Sequence, residues 1–238
     1  MNAGQAQDTD RSKGPKFAML VHPKMIMQDL IGPMTVFNLC MGTNHLVWKD
    51  ATPVASELGI SVMPTETYET CPRDVDVLFV PGGLAGTIEL MQDSETLAFL
   101  QDVASTATYV TSVCTGALVL GAAGLLQGKR ATSHWYVRDM LTHFGAIQTE
   151  GRVVEDGRVL TGGGVTAGID FGLTIASRLR GDDWARRIML TLEYAPEPPF
   201  IGGTPEQAEA DHVASILDRR GRILAEAERV AREAGKRL

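Results

Sequence analysis

Cysteine is scarce in this chain. There are three in 238 residues, Cys40, Cys71 and Cys114, an odd number at wide spacing. That excludes a disulfide framework. With no C-x-x-C and no His-x-x-x-His spacing, it also gives no zinc signature. Free thiols point to the cytoplasm. Basic residues are outnumbered, 22 Lys and Arg against 29 Asp and Glu, for a net charge of −7. A nucleic-acid binder carries a basic stripe, so that class is excluded and a small-molecule role fits better. No apolar run is long enough for a membrane span; the nearest, Ala117 to Leu126, is too short and too rich in Gly and Ala. The opening "MNAGQAQDTDRSKGPK" lacks the apolar core of a signal peptide and reads as a disordered arm over residues 1–15. No internal repeat and no low-complexity tract is present.

What the chain does have is 44% hydrophobic residues, 25 glycines and a regular alternation of element types. That composition suits one sizeable domain with an appendage. "KFAMLVHP" reads as a buried first strand. "DLIGPMTVFNLCMG" follows as a helix, with Asp29 as N-cap and Pro33 in the first turn. "HLVWK", "DVDVLFVPGG" and "YVTSV" read as further strands, and "GISVMPTETY" as an extended excursion. "DSETLAFLQDVASTA" is a helix capped by Asp93 or Ser94, and another helix starts at Thr115. The Asp156-Gly157 pair in "VVEDGRVLT" is a hairpin signal. Two helices follow, "VTAGIDFGLTIASRLRG" and "DDWARRIMLTLEY", the second capped by Asp182 or Asp183. A charged helical stretch closes the chain, with an expected break at Gly221.

Strands alternating with helices imply an α/β fold, a parallel sheet covered on both faces. Ligands in such folds sit beyond the carboxyl ends of the strands. Cys114 and the Gly82-Gly83 turn both fall there. A strand-to-helix corner aims helix amides at the cysteine, which predicts a lowered thiol pKa and a nucleophilic thiolate. The other reading of Cys114 is a buried structural cysteine. Cys40 lies in an apolar helix and reads as packing. Asp29 is either a helix cap or a carboxylate near Cys114. His134, beside Trp135, is either a base for the thiol or a packed ring. The glycines of "LTGGGVTAGID" do not match G-x-G-x-x-G in a strand–turn–helix frame, so they read as a tight pocket-lining loop.

Three blocks, "FVPGG", "YVTSVCTGALVLGAAGLLQGKRATSHW" and "LTGGGVTAGIDFGL", resemble the ThiJ/PfpI superfamily. "QDLIGP" and "LEYAPEPPF" resemble its isocyanide hydratase branch. The resemblance spans nearly all of the chain after residue 15. It implies a flavodoxin-like three-layer sandwich, mostly parallel, with a nucleophile-elbow cysteine. It implies a ThiJ/PfpI-like domain over 16–200 and a C-terminal helical extension over 201–238. Cys114 is then the nucleophile, and Asp29 replaces the glutamate that most superfamily members carry. Thr115, Gly82, Gly83 and Val165 line the site and stabilise charge, and His134 stands behind them. Leu84 and Val165 depart from the branch's usual residues, which bears on pocket shape.

The implied reaction hydrates an isocyanide to an N-substituted formamide through a Cys114 thioimidate, with no cofactor and no metal. The implied assembly is a cytoplasmic homodimer that binds neither nucleic acid nor membrane. Two other roles occur in the same superfamily: a glyoxalase- or deglycase-like enzyme acting on 2-oxoaldehydes, and a regulatory or redox-sensing domain. Too few residues follow Phe200 for a helix-turn-helix module, and Thr115 rather than histidine follows the cysteine.

Overall fold

Alternation along short apolar strands assigns each side chain to one face of a sheet. The computed structural model describes residues 11–238. In chain order its strands and α-helices are β1 (Lys16–Leu20), α1 (Met27–Leu39), β2 (Thr43–Trp48), β3 (Val54–Ala55), β4 (Ser61–Val62), β5 (Glu66–Thr67), β6 (Val77–Val80), α2 (Leu84–Leu90), α3 (Ser94–Thr106), β7 (Tyr109–Ser112), α4 (Gly116–Ala122), β8 (Arg130–Ala131), β9 (Ile147–Gln148), β10 (Val153–Asp156), β11 (Val159–Gly162), α5 (Ala167–Arg180), α6 (Asp182–Thr191) and α7 (Ala210–Gly235). A 3-10 helix spans Arg138–Phe144.

The main sheet has seven strands in the order β10-β11-β7-β6-β1-β2-β5. All neighbours are parallel except the β10–β11 hairpin, which turns at Gly157 as its sequence predicts. Taken in chain order, β1, β2, β6, β7 and β11 lie as 2-1-3-4-5, the flavodoxin order. Phe17, Met19, Val77 and Phe79 face α1, α5 and α6, while Ala18, Leu20, Leu78 and Val80 face α2, α3, α4 and α7. This is a three-layer sandwich, as expected. Phe17 stacks on Phe37 with ring centroids 4.2 Å apart, tying α1 to the sheet. Gly168 and Gly172 of α5 lie against Pro33 and Val36, so α1 and α5 pack closely.

The switch in winding direction lies between β1 and β6, and the crevice opens at their carboxyl ends. Four local expectations change. Helix α1 starts at Met27, so Asp29 is in its first turn and does not cap it. Pro33 lies mid-helix, where its missing amide leaves the Asp29 carbonyl without a helical donor. Gly181, not an aspartate, precedes α6. Helix α7 runs unbroken through Gly221, because one glycine costs only about 1 kcal/mol and tertiary packing exceeds that. Two short helices, α2 and the 3-10 helix, carried no clear periodicity in the sequence.

Most of the expected N-terminal arm, residues 1–10, lies outside the described residues. Arg11–Lys13 form a 3-10 turn, and Arg11 Nη1 donates to the Gly42 carbonyl at 3.0 Å. At the other end, Ala227, Val230, Ala231 and Ala234 of α7 are buried in the same core as α3 and α4. Among the described residues, no helix is long and apolar enough to cross a membrane.

Candidate active site

Strand β7 ends at Ser112 and α4 begins at Gly116, leaving three residues for a sharp corner. Cys114 takes that corner with φ of 54°. A non-glycine residue in the left-handed region carries about 1–3 kcal/mol of strain, and its surroundings must hold it there. They do so at both ends of the residue. The Cys114 N–H is shared between the Gly162 and Gly163 carbonyls, at 3.1 and 2.9 Å. The Cys114 carbonyl accepts from Ser133 Oγ at 2.7 Å and from the His134 N–H at 3.3 Å. Gly116 lets the helix start close to the sheet: a Cβ there would sit 2.3 Å from the Val80 carbonyl oxygen.

Asp29 reaches this corner from α1. Its Oδ2 accepts the Gly82 N–H at 3.0 Å, and its Oδ1 is buried with no nitrogen or oxygen donor. Gly82 is what lets the two groups meet. A side chain there would place Cβ 2.8 Å from both Asp29 Oδ2 and Cys114 Cβ. Gly83, at φ of 136°, donates its N–H to Thr115 Oγ1 at 2.9 Å, and Thr115 Oγ1 also pairs with Thr87 Oγ1 at 2.7 Å. Thr115 thus anchors the glycine turn with its side chain while its amide serves the sulfur. The Gly83 amide is already engaged and is not free for a developing charge.

Asp29 is 0% and Cys114 2% exposed, which decides the electrostatics. Burial raises the Asp29 carboxyl to about 7, against the lowering effects of the Cys114 thiol and the Gly82 amide. Burial and then the Asp29 charge raise the Cys114 thiol as well, outweighing the amides of Thr115 and Val165 that favour the thiolate. The expected lowering at a helix start is therefore overturned: desolvation and a neighbouring carboxylate are larger than two amides. The consequence is a protonated thiol beside a carboxyl that titrates near neutral pH. Cys40 and Cys71 have no such partner, and burial raises them to about 12 and about 11.

A cavity of about 410 Å³ opens beside the corner. Ser133, His134 and the Gly163–Val165 loop line it, the same residues that hold the Cys114 backbone or reach its sulfur. Gly203 to Glu206, from the segment joining α6 to α7, also line it. His134 stacks against Tyr136, with centroids 3.7 Å apart, and burial lowers its pKa to about 4. Its Nδ1 is buried without a hydrogen-bond partner, and its backbone N–H, not its ring, bonds to Cys114. His22, Thr87 and Arg138 carried no motif in the sequence, and Ser133 lay within the block ending "RATSHW" without a role of its own. His22 is fully buried just past β1, with Nδ1 3.0 Å from the Pro23 carbonyl and Nε2 3.4 Å from the Pro81 carbonyl, so the neutral ring donates to one of the two. Among the described residues, no three His, Cys, Asp or Glu side chains gather as metal ligands would.

The family model for DJ-1/PfpI matches residues 15–178, which include the corner, the glycine turn and Asp29. The chain belongs to the DJ-1/PfpI family. It is 53% identical over 194 residues to the isonitrile hydratase of Pseudomonas putida, covering 81% of this chain and 84% of that protein. A ThiJ/PfpI family protein from Pseudomonas syringae has the same architecture, with a TM-score of 0.90 and 44% identity over 96% of this chain and 97% of that one. Drosophila melanogaster DJ-1beta shares the fold at a TM-score of 0.70 and 21% identity, covering 77% of this chain and 100% of that one. The DJ-1/PfpI match ends at residue 178, so the Gly203–Glu206 wall of the cavity lies beyond it.

Proposed function

We propose that this protein is an isonitrile (isocyanide) hydratase that adds water to R–N≡C and releases the N-substituted formamide. The observation that carries this reading is the 53% identity to the Pseudomonas putida isonitrile hydratase across most of both chains. The buried Asp29–Cys114 pair supports a mechanism for it. As Cys114 Sγ bonds to the terminal carbon of the isonitrile, the Asp29 carboxylate takes the thiol proton and passes it to that carbon. The product is a thioimidate, R–N=CH–S–Cys114, with Asp29 again ionised. Asp29 next accepts a proton from water as its oxygen attacks the thioimidate carbon. Proton transfer to nitrogen and cleavage of the C–S bond give R–NH–CHO and return one proton to the pair. A single carboxyl thus serves as base, acid and base again, a task suited to a pKa near 7. The Thr115 and Val165 amides stabilise charge on sulfur as it forms and leaves.

The protein acts as a cytoplasmic homodimer in this reading. The three unpaired thiols support the compartment. The β3–β4 hairpin supports the dimer by exposing Leu58, Ile60 and Met63, at 65, 55 and 59%. Light scattering of a Leu58→Glu, Ile60→Glu double variant is expected to report monomer where the parent protein reports dimer.

The test of the reaction is purified protein mixed with an aryl isonitrile, with formamide followed by NMR. Formamide is expected from the parent protein and from Cys40→Ala and Cys71→Ala, but not from Cys114→Ser. Intact mass after acid quench is expected to show one isonitrile added on Cys114. A protein that folds and yields no formamide overturns the reading.

A further inference from the structure

The "LEYAPEPPF" block lies beyond the DJ-1/PfpI match, which ends at residue 178, and does not line the cavity. Its tyrosine, Tyr194, is placed by an unusual helix end. Glu193 follows α6 with φ of 50°, at a position glycine usually fills. The Glu193 and Tyr194 N–H groups donate to the Leu190 and Met189 carbonyls, both at 3.0 Å, which fixes how the chain leaves the helix. Tyr194 OH then donates to Asp170 Oδ1 at 3.0 Å. The other oxygen, Asp170 Oδ2, accepts from Arg152 Nε at 2.8 Å and from Arg152 Nη2. The Arg152 carbonyl accepts the Gly163 N–H at 2.8 Å, and the Gly163 carbonyl accepts the Cys114 N–H at 2.9 Å. A continuous path of hydrogen bonds, closed through the Arg152 backbone, joins Tyr194 to the elbow.

We propose that Tyr194 is a positioning residue for the hydration: acting through Asp170 and Arg152, it holds the Gly163–Val165 loop against Cys114. This rests on the hydratase reading and adds a residue to it. The loop matters to the chemistry because it carries the Val165 amide, which favours charge on sulfur. The ion pair alone contributes little: the Arg152 and Asp170 side chains are 58 and 32% exposed, and pairs in that setting are weak. What Tyr194 adds is direction. It engages the Asp170 oxygen that Arg152 leaves free, so the carboxylate and guanidinium keep one orientation. Arg178 and Glu155 make the contrasting case. They also tie α5 to β10, with Arg178 Nη2 and Glu155 Oε2 at 2.7 Å, yet among the described residues neither side chain bonds to the loop.

The experiment combines hydrogen exchange, read by mass spectrometry, with turnover of an aryl isonitrile. Tyr194→Phe and Arg152→Met each break the path, and Arg178→Met removes the contrasting pair. Exchange in the peptide over residues 160–169 is expected to rise about 3–10-fold in Tyr194→Phe and Arg152→Met, the size of one net hydrogen bond, and to keep the parent rate in Arg178→Met. Exchange over β6 is expected to keep the parent rate in all three, which marks the change as local. In Tyr194→Phe, kcat per reactive Cys114 is expected to fall about 3–10-fold with KM within about twofold, because the amide acts on charge that forms during the reaction. A tyrosine that only stabilises the fold leaves kcat per reactive thiol unchanged. Loop exchange at the parent rate in either path variant overturns the proposal, as does equal loosening by Arg178→Met or an equal rise over β6. Loosening of the loop with unchanged kcat per reactive thiol overturns it as well. If the parent protein hydrates no isonitrile, the hydratase reading fails, and alkylation of Cys114 by iodoacetamide replaces turnover. Slower alkylation in Tyr194→Phe but not in Arg178→Met then supports the clamp, and an equal or faster rate overturns it.

Discussion

With Asp29 ionised, the pair holds one proton, on Cys114, because burial and the Asp29 charge both disfavour the thiolate. Two outcomes follow at this scale. With one proton the pair is competent; with two, no base is left for the thiol. The logarithm of kcat/KM is therefore expected to fall with unit slope below about pH 7, and a pH–rate profile flat from 5 to 8 contradicts an Asp29 base that titrates there. Asp29→Asn is expected to lose about 10²–10⁴-fold in kcat, the usual size of general acid–base catalysis, and to lose that acid limb. Asp29→Glu keeps the carboxyl group one methylene out of place and is expected to fall between the two. The second outcome concerns stability. The Asp29 carboxyl sits near 3.8 when unfolded and about 7 when folded, so the folded state holds its proton more tightly. This term leaves stability untouched below pH 4 and lowers it as pH rises towards 7, by up to roughly 4 kcal/mol, after which it is constant. Urea melts of Asp29→Asn are expected to match the parent protein at pH 4 and exceed it at pH 8. The opposite order means the buried carboxyl gains stability from its charge.

At the scale of elements, the elbow depends on a turn and a loop that meet it from two sides. The Gly82-Gly83 turn meets it through Asp29 Oδ2 and Thr115 Oγ1. The Gly162–Gly163 segment at the end of β11 meets it through the Cys114 amide. Thr115→Val keeps the shape of the side chain and removes the acceptor for Gly83 and the partner of Thr87. The buried Gly83 amide is then unpaired, which is expected to cost about 1–3 kcal/mol in a urea titration. Loss of activity beyond that of Cys40→Ala is expected as the turn relaxes away from Asp29. Unchanged stability means the Gly83 amide finds another acceptor. Much of this region was legible as a local pattern. A β-branched strand, a cysteine and a small-residue helix announce a corner, and a glycine pair after "LFV" announces a turn. The state of the thiol was not legible, because the helix-start argument carries no information about how deeply the corner is buried.

For the whole molecule, α7 closes the second face of the sheet. The side chains of Ala227, Val230, Ala231 and Ala234 are buried against α2, α4 and the 3-10 helix, and His143 Nε2 meets Glu228 Oε1 at 2.8 Å. Ala231→Asp puts a carboxyl group into that contact and is expected to destabilise by several kcal/mol, whereas Ala225→Asp on the exposed side is expected to be neutral within about 0.5 kcal/mol. Thermal melts compare the two. Equal melting temperatures mean that α7 is dispensable to the core. In the sequence the interleaved Arg and Glu mark this stretch only as a charged helix, and the small alanines between them carry no signal of burial.

The sequence by itself determined the α/β class, the parallel sheet and the corner at Cys114, because strand alternation, turn glycines and helical spacing are local signals. Its resemblance to ThiJ/PfpI proteins pointed to Asp29 as a partner of the cysteine. The tertiary structure decided what no local pattern carries. It brought Asp29 from α1 against Cys114 through the gap left by Gly82, and raised both pKa values by burying them. It joined His134 and Arg138 to the Gly203–Glu206 segment around one cavity. Each of these depends on distance through space between residues far apart in the chain, and on the water that folding excludes from between them.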